Sequence, residues 1–227
     1  MFGALAIALV VISAKWKDSA RGNAFDGGII GGLVVSQVLM IAYWAEPARF
    51  DWGSSLPLHM CDLVAWVVPA AMLIRSRLLY AVLFFWGLGL TTQAFIQPTL
   101  TFGIQHGVYW FFWVQHAGIL FGALYIWVVR GFRPNLVDFG IVAGIGAVVG
   151  AVTAFVNART GWEYFFTGPS TPGNPTIIDL LGEWPLRVVF MWLIATALMA
   201  GLWGLSAAAD RAFPRLGRAA GRDGDAT

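Results

Sequence analysis

The sequence predicts an all-α fold: a polytopic membrane helix bundle of seven transmembrane helices, with the N-terminus outside and the C-terminus inside. Composition, recurring apolar runs and the distribution of basic residues between loops carry this expectation. Of 227 residues, 59% are hydrophobic and 11% charged, a balance foreign to soluble domains of this size. A spanning helix needs about 20 mainly apolar residues. Runs near that length recur at residues 1–14, 27–45, 56–74, 78–97, 106–129, 137–157 and 185–207. Residues 1–208 therefore read as one transmembrane domain. Residues 209–227, rich in Gly, Ala, Arg and Asp, read as a disordered cytoplasmic tail.

The first run is the shortest: its 14 residues rise about 21 Å, against a hydrocarbon core of about 30 Å. Lys15, Lys17 and Arg21 follow it, whereas a signal peptide carries its basic residues ahead of the apolar run. The expectation is an uncleaved first helix. The third run opens with "LPLHMCDLVAW" (56–66), and the fourth closes on Gln93 and Gln97. The fifth holds "VQHAG" (114–118).

The sixth run contains "GIVAGIGAVVGAV", with Gly140 and Gly144, then Gly146 and Gly150, each pair four apart. That spacing lets helices approach closely, and packing is explanation enough. Between the sixth and seventh runs lies one long connection, residues 158–184, mixing Pro and Gly with Trp162, Tyr164, Phe165 and Phe166. Loops of that length are usually functional or disordered. Its aromatics and the short apolar "TIIDLLGEW" suit equally a lid or an interfacial anchor.

Orientation follows from Lys and Arg, which are held on the cytoplasmic side. The loops after runs one, three and five, together with the tail, hold Lys15, Lys17, Arg21, Arg75, Arg77, Arg130, Arg133, Arg211, Arg215, Arg218 and Arg222. The opposite side holds Arg49, Arg159 and Arg187. "LPLHMCDL" then sits in the outer leaflet. The net charge of +2 is a by-product of this topology and gives no support for nucleic-acid binding, which needs a basic patch on a soluble face. A single cysteine excludes an intrachain disulfide.

Polar groups inside a membrane are expensive and mark function by default. His59, His106, His116 and Cys61 all fall on the third and fifth runs, joined at similar depth by Gln93, Gln97 and Gln115. A metal site is the first alternative, because His and Cys bind zinc well. Spacing argues against it: His106 and His116 are about 15 Å apart along a helix, and His59 and Cys61 point to nearly opposite sides of theirs. The same rotation places His59 and Asp62 on one face with Cys61 turned about 100° from Asp62.

A lone cysteine in a membrane helix reads first as a small buried hydrophobe. The sharper reading is a nucleophile, and a thiol in apolar surroundings needs a base to form thiolate. His116 on the fifth run supplies one.

Four segments carry a family resemblance: "LPLHMCDL" (56–63), "FFWGLGLTTQAFIQPTL" (84–100), "VQHAGILFGALYIWVVRGFRP" (114–134) and "IIDLLGEWP" (177–185). They resemble the YwaF-like family of bacterial seven-helix membrane proteins. That family is similar to eukaryotic transmembrane acyltransferases that remodel phospholipids through a helix-three cysteine and a histidine in a "QH" pair on helix five. Cys61 and His116 match those two positions.

The resemblance implies acyl transfer on phospholipid or lysophospholipid at the outer face of the bacterial plasma membrane, with Cys61 as nucleophile and His116 as base. Gln93 is the first candidate to stabilise the oxyanion, with Gln97, His59 and Asp179 as supporting candidates. No cofactor and no metal is called for. The competing class is a non-enzymatic membrane protein, a binder of lipid or a small molecule, or a transporter. Lys15 and Lys17 lie outside the seventh run, which excludes a retinal Schiff base there. Asp62 and Asp138 sit near span ends, without the chain of midplane carboxylates expected of a proton-coupled carrier.

Overall fold

A computed structural model describes residues 1–169 and 177–212, the side chains of Ile177 and Asp179 excepted. The regular secondary structure of the described residues is all helical, without strands. Seven principal helices follow in chain order: α1 (Phe2–Lys15), α2 (Ala20–Trp44), α3 (Met60–Ile74), α4 (Arg77–Val82), α5 (Gly107–Leu124), α6 (Leu136–Thr160) and α7 (Leu186–Ala212). α4 continues as a π-turn over Leu83–Leu88 and a 3-10 turn over Thr91–Phe95. α5 continues as a π-turn over Tyr125–Val129.

Five of these helical stretches are long and apolar enough to cross a membrane, while α1 and α3 are shorter apolar helices of 14 and 15 residues. α3 is shorter than the apolar run because Pro57 and the extended backbone at His59 (φ −67°, ψ 155°) delay its start to Met60. α2, by contrast, starts seven residues ahead of its run. Ser19 caps it by accepting from Gly22 N at 3.0 Å, and the earlier start takes Asp26 into the helix.

α5 is the centre of the bundle, packing against α1, α2, α3 and the π-turn after α4. Two glycines make this possible. A Cβ at Gly118 would collide with Leu33 of α2, and one at Gly122 would lie 2.6 Å from Val68 Cγ1 of α3. The small-xxx-small contact therefore belongs to α5, and the packing role expected of the α6 glycines is not what the structure gives. Gly140, Gly144 and Gly150 have no atom within 4 Å of a built Cβ, and Gly146 meets only Trp86 at 3.8 Å or more. α6 packs against α7 and α4, but these glycines do not sit where another backbone approaches.

Two polar locks fix the end of the bundle where α2, α4 and α6 begin. Arg77 grips Asp138 bidentately, Nε to Oδ1 at 3.0 Å and the second guanidinium nitrogen to Oδ2 at 2.6 Å, tying α4 to α6. Asp138 simultaneously closes the first turn of α6 with Asn135. Asp26 accepts from Ser13 Oγ at 2.9 Å and from Tyr125 Oη at 2.6 Å, so its carboxylate pins α1 and α5 to α2. That intramembrane carboxylate escaped the sequence reading, which placed it just outside the second run.

Candidate functional site

At the end of the bundle where α3 and α5 begin, a cavity of about 560 Å³ opens between α2, α3, α5, the loop after α4 and α7. Cys61, His116, Gln93, Gln97 and His59 all line it. Five of the residues singled out from sequence are thus brought to one wall system from three separate segments. Asp179, the remaining candidate, falls in the 3-10 turn Ile177–Leu181, but its side chain lies outside what the structure describes. Among the described residues no three His, Cys, Asp or Glu side chains group as metal ligands.

The backbone explains the convergence. Cys61 is in the first turn of α3, where the chain has just turned from extended to helical at His59. Asp62 accepts from the His59 backbone N–H at 3.2 Å, so the carboxylate caps its own helix. Its other oxygen accepts from Gln115 Nε2 of α5 at 2.9 Å. Gln115 is 3% exposed, and its neighbour in sequence is His116. Although helical rotation separates Cys61 from His59 and Asp62, all three reach the same cavity, because at a helix start the cavity wraps around more than one face.

His116 is 3% exposed. Its Nδ1 lies 2.7 Å from the carbonyl of Phe112, one turn earlier in α5. A carbonyl only accepts, so Nδ1 carries the proton and Nε2 is left with a lone pair. Nε2 is buried and has no hydrogen-bond partner among the described residues. The Phe112 ring packs on the imidazole at 4.1 Å between centroids, fixing its plane. No hydrogen bond joins His116 to Cys61. The thiol is free and half-buried.

The glutamines arrive by a change in winding. Thr91 Oγ1 and Thr92 Oγ1 donate to the carbonyls of Gly87 and Leu88, each at 2.7 Å, which bends helices, and the chain tightens to a 3-10 turn. The helix stops at Phe95, as expected ahead of Pro98, since the residue before proline avoids the α region. Gln97 N still donates to Gln93 O at 2.8 Å, so both side chains reach the cavity beyond the last helical turn. Gln93 is exposed to it, with no side-chain hydrogen bond among the described residues.

His59 has a different character. Its ring packs on Tyr164 at 5.1 Å and Phe166 at 6.1 Å, beneath the long connection between α6 and α7. Tyr164, 2% exposed, accepts from Leu56 N at 3.1 Å and donates to Trp52 O at 2.8 Å. Burial pushes its phenol above the usual tyrosine range, which keeps it a donor. Phe166 and Ile178 from this connection line the cavity, so it roofs the site. His106 stays out of the cavity. Its Nδ1 accepts from Val108 N at 3.2 Å as the cap of α5, and its Nε2 meets Tyr43 Oη at 3.2 Å.

Sequence reasoning missed Gln37 and Thr91, which also line the cavity. Gln37 sits in the middle of an apolar helix and carried the same intramembrane-polar signal as Gln93. Thr91 carried none.

The chain belongs to the TMEM164 family, a transmembrane protein family whose model matches residues 1–203. Neither the curated proteins nor the solved structures contain a match to it. The expectation of a polytopic membrane family is met at that level. The family that matches is TMEM164, where the four sequence segments suggested the YwaF-like family.

Proposed function

Taking TMEM164 membership as the premise, we propose that the protein is a membrane lipid acyltransferase, or a thioester-forming acyl hydrolase, acting on phospholipid acyl chains with Cys61 as nucleophile and His116 as base. The observation that carries the reading is the state of His116. One ring nitrogen is committed to a backbone carbonyl, the other is buried without a hydrogen-bond partner among the described residues, and the residue lines the cavity that also holds the only cysteine. A neutral imidazole held this way is prepared to accept one proton.

In the first half-reaction His116 Nε2 takes the thiol proton and the sulfur attacks an ester carbonyl of the phospholipid. The tetrahedral intermediate collapses as the carbon–oxygen bond to glycerol breaks. The imidazolium returns its proton to the departing alkoxide, leaving an acyl-thioester on Cys61 and a lysophospholipid. In the second half-reaction a lysolipid hydroxyl, or water, gives its proton to Nε2 and attacks the thioester. A new carbon–oxygen bond forms, the carbon–sulfur bond breaks and the thiol is restored. Gln93 is assigned to the oxyanion: it is neutral, exposed to the cavity and without a side-chain hydrogen bond among the described residues. In the seven-span, N-terminus-outside topology that the basic residues favour, this chemistry faces the outer leaflet of a bacterial plasma membrane.

A lipid-binding protein without chemistry is the second reading, favoured by the absence of a hydrogen bond between Cys61 and His116. Purified protein incubated with labelled phospholipid and lysophospholipid separates the two. Acyl exchange in the wild type, abolished in Cys61→Ser and accompanied by a hydroxylamine-labile label on Cys61, supports transfer. Identical lipid profiles for wild type and Cys61→Ser leave the binder.

A further inference from the structure

A second cavity, of about 400 Å³, lies between α4, α6 and α7. We propose that it holds the acyl chain of the lipid whose ester carbonyl is presented to Cys61, and that its length sets which chains are transferred. This inference rests on the acyl-transfer reading and extends it to the part of the substrate that does not react.

The wall chemistry is that of a hydrocarbon ligand. Trp86 and Leu90 of the α4 segment face Gly146 and Gly150 of α6 and Ala195 and Met199 of α7, and no charged side chain lines the cavity among the described residues. A largely apolar cleft of this size favours an apolar occupant.

The dimensions fit one chain. Along α7 the lining runs from Val188 to Met199, a rise of about 16 Å. That is close to half of a hydrocarbon core of about 30 Å, the depth a single acyl chain spans in its leaflet. The glycines of α6 acquire a purpose here. They bring no helix close, yet Gly146 and Gly150 leave their side of the cleft without side chains, giving a smooth floor along which a chain can lie.

Continuity with the reactive cavity supports a substrate chain over bulk lipid. At five places, two of them on α7 (Ile194 with Ala195 and Leu198 with Met199), consecutive residues divide between the two cavities. Met60 lines the apolar one and Cys61 the polar one; Leu90 and Thr91 divide in the same way, as do Phe165 and Phe166. A chain lying in the cleft reaches its polar end at the partition where the thiol stands. Phospholipid in the surrounding bilayer touches instead the exposed faces of α6 and α7, at residues such as Val148, Val152 and Leu193.

The test uses the full chain in lipid nanodiscs containing a phospholipid with a diazirine in the middle of one acyl chain. Photolysis and peptide mapping are expected to place label within residues 143–151 and 188–199 at cleft-lining positions, equally in wild type and Cys61→Ser. Gly150→Leu fills the cleft, and a Cβ at Gly150 meets nothing within 4 Å, so the bundle has room for it. This variant is expected to lose the cleft label. The thioester formed on Cys61 should also shift toward shorter chains, by roughly tenfold or more for the longest, the scale on which a pocket discriminates methylenes.

Label spread over Val148, Val152 and Leu193 as heavily as over the cleft overturns the proposal. So does a Cys61 thioester whose chain-length distribution is the same in wild type and Gly150→Leu. Cleft label that Gly150→Leu removes, with no thioester on Cys61 in wild type, rejects the transfer chemistry while retaining the chain-binding cleft.

Discussion

Gln115 of α5 donates its side-chain amide to the Asp62 carboxylate of α3 at 2.9 Å, and each partner is the immediate neighbour of one member of the proposed reacting pair, His116 and Cys61. The bond therefore sets the register of the two helices where the chemistry requires it. Intramembrane side-chain hydrogen bonds average about 0.6 kcal/mol in double-mutant cycles, with a maximum near 1.7. Because Gln115→Ala leaves one oxygen of a half-buried carboxylate without its protein partner, its expected loss lies within that range. Unfolding in mixed detergent measures it. Acyl transfer should fall with it, while Asn at 115, too short to reach, should behave as Ala does. Full activity in both variants would show that the bond has no positioning role.

The glycine contacts predict an inversion between two helices. Gly122→Ala drives a methyl into Val68, whose branched side chain is stiff at χ1, and is expected to destabilise by about 1–3 kcal/mol, the usual scale of overpacking. Gly118→Ala meets Leu33, which has a further torsion with which to yield, and the loss should be smaller. Gly144→Ala, with nothing within 4 Å, should be neutral or stabilising by up to about 1 kcal/mol through helix propensity. Thermal unfolding of the three variants side by side decides the order. A Gly144→Ala loss as large as that of Gly122→Ala would return the close contact to α6.

Why α6 drew attention in the sequence while α5 held the contact has a physical reason. Spacing reports that small residues share a face, but not what lies opposite, and Gly118 and Gly122 stand in "QHAGILFGAL" among larger residues that mask them. The helix count and most boundaries followed from apolar run length, and the convergence of Cys61, His116, Gln93 and Gln97 was legible from depth along each helix. The Asp62–Gln115 bond was not, because it depends on how α3 and α5 rotate about their own axes. Asp26 was missed for a simpler reason: a charged residue beside Gly27 and Gly28 looks like a span boundary, and only Ser13 and Tyr125 make it an interior group. The second cavity had no sequence signature beyond the α6 glycines.

Tyr164 is expected to control access to the site. It bridges Leu56 N and Trp52 O while its ring covers His59, so the connection after α6 is stapled to the segment that leads into Cys61. Tyr164→Phe keeps the ring and removes both hydrogen bonds. A membrane-impermeant maleimide should then modify Cys61 several-fold faster than in wild type, with the fold retained. The bridge needs the neutral phenol, whose folded pKa is raised by burial. Its stabilisation is therefore fully present below the ordinary tyrosine value of about 10 and is lost only as the pH climbs through the higher folded value. Maleimide access that already rises between pH 7 and 9, compared with Tyr164→Phe to correct for thiol ionisation, would argue against this staple.

Gln93 separates transition-state stabilisation from binding. Its amide faces the cavity from the 3-10 turn after Thr91. Acting as a donor to the oxyanion, it contributes when the carbonyl becomes tetrahedral and little before. Removing one such donor lowers kcat by roughly 100- to 1,000-fold in characterised enzymes, so Gln93→Ala is expected to lose that much in kcat with KM within a few-fold of wild type. Gln93→Glu, which places a negative charge beside a developing one, should be worse than Ala. The same substitution at Gln97 serves as the comparison, since it lines the same cavity one turn further along and is assigned only a supporting role. If Gln93→Ala instead raises KM with kcat preserved, the residue holds the lipid headgroup and the oxyanion donor must be sought elsewhere on the cavity wall, with Thr91 the next to test.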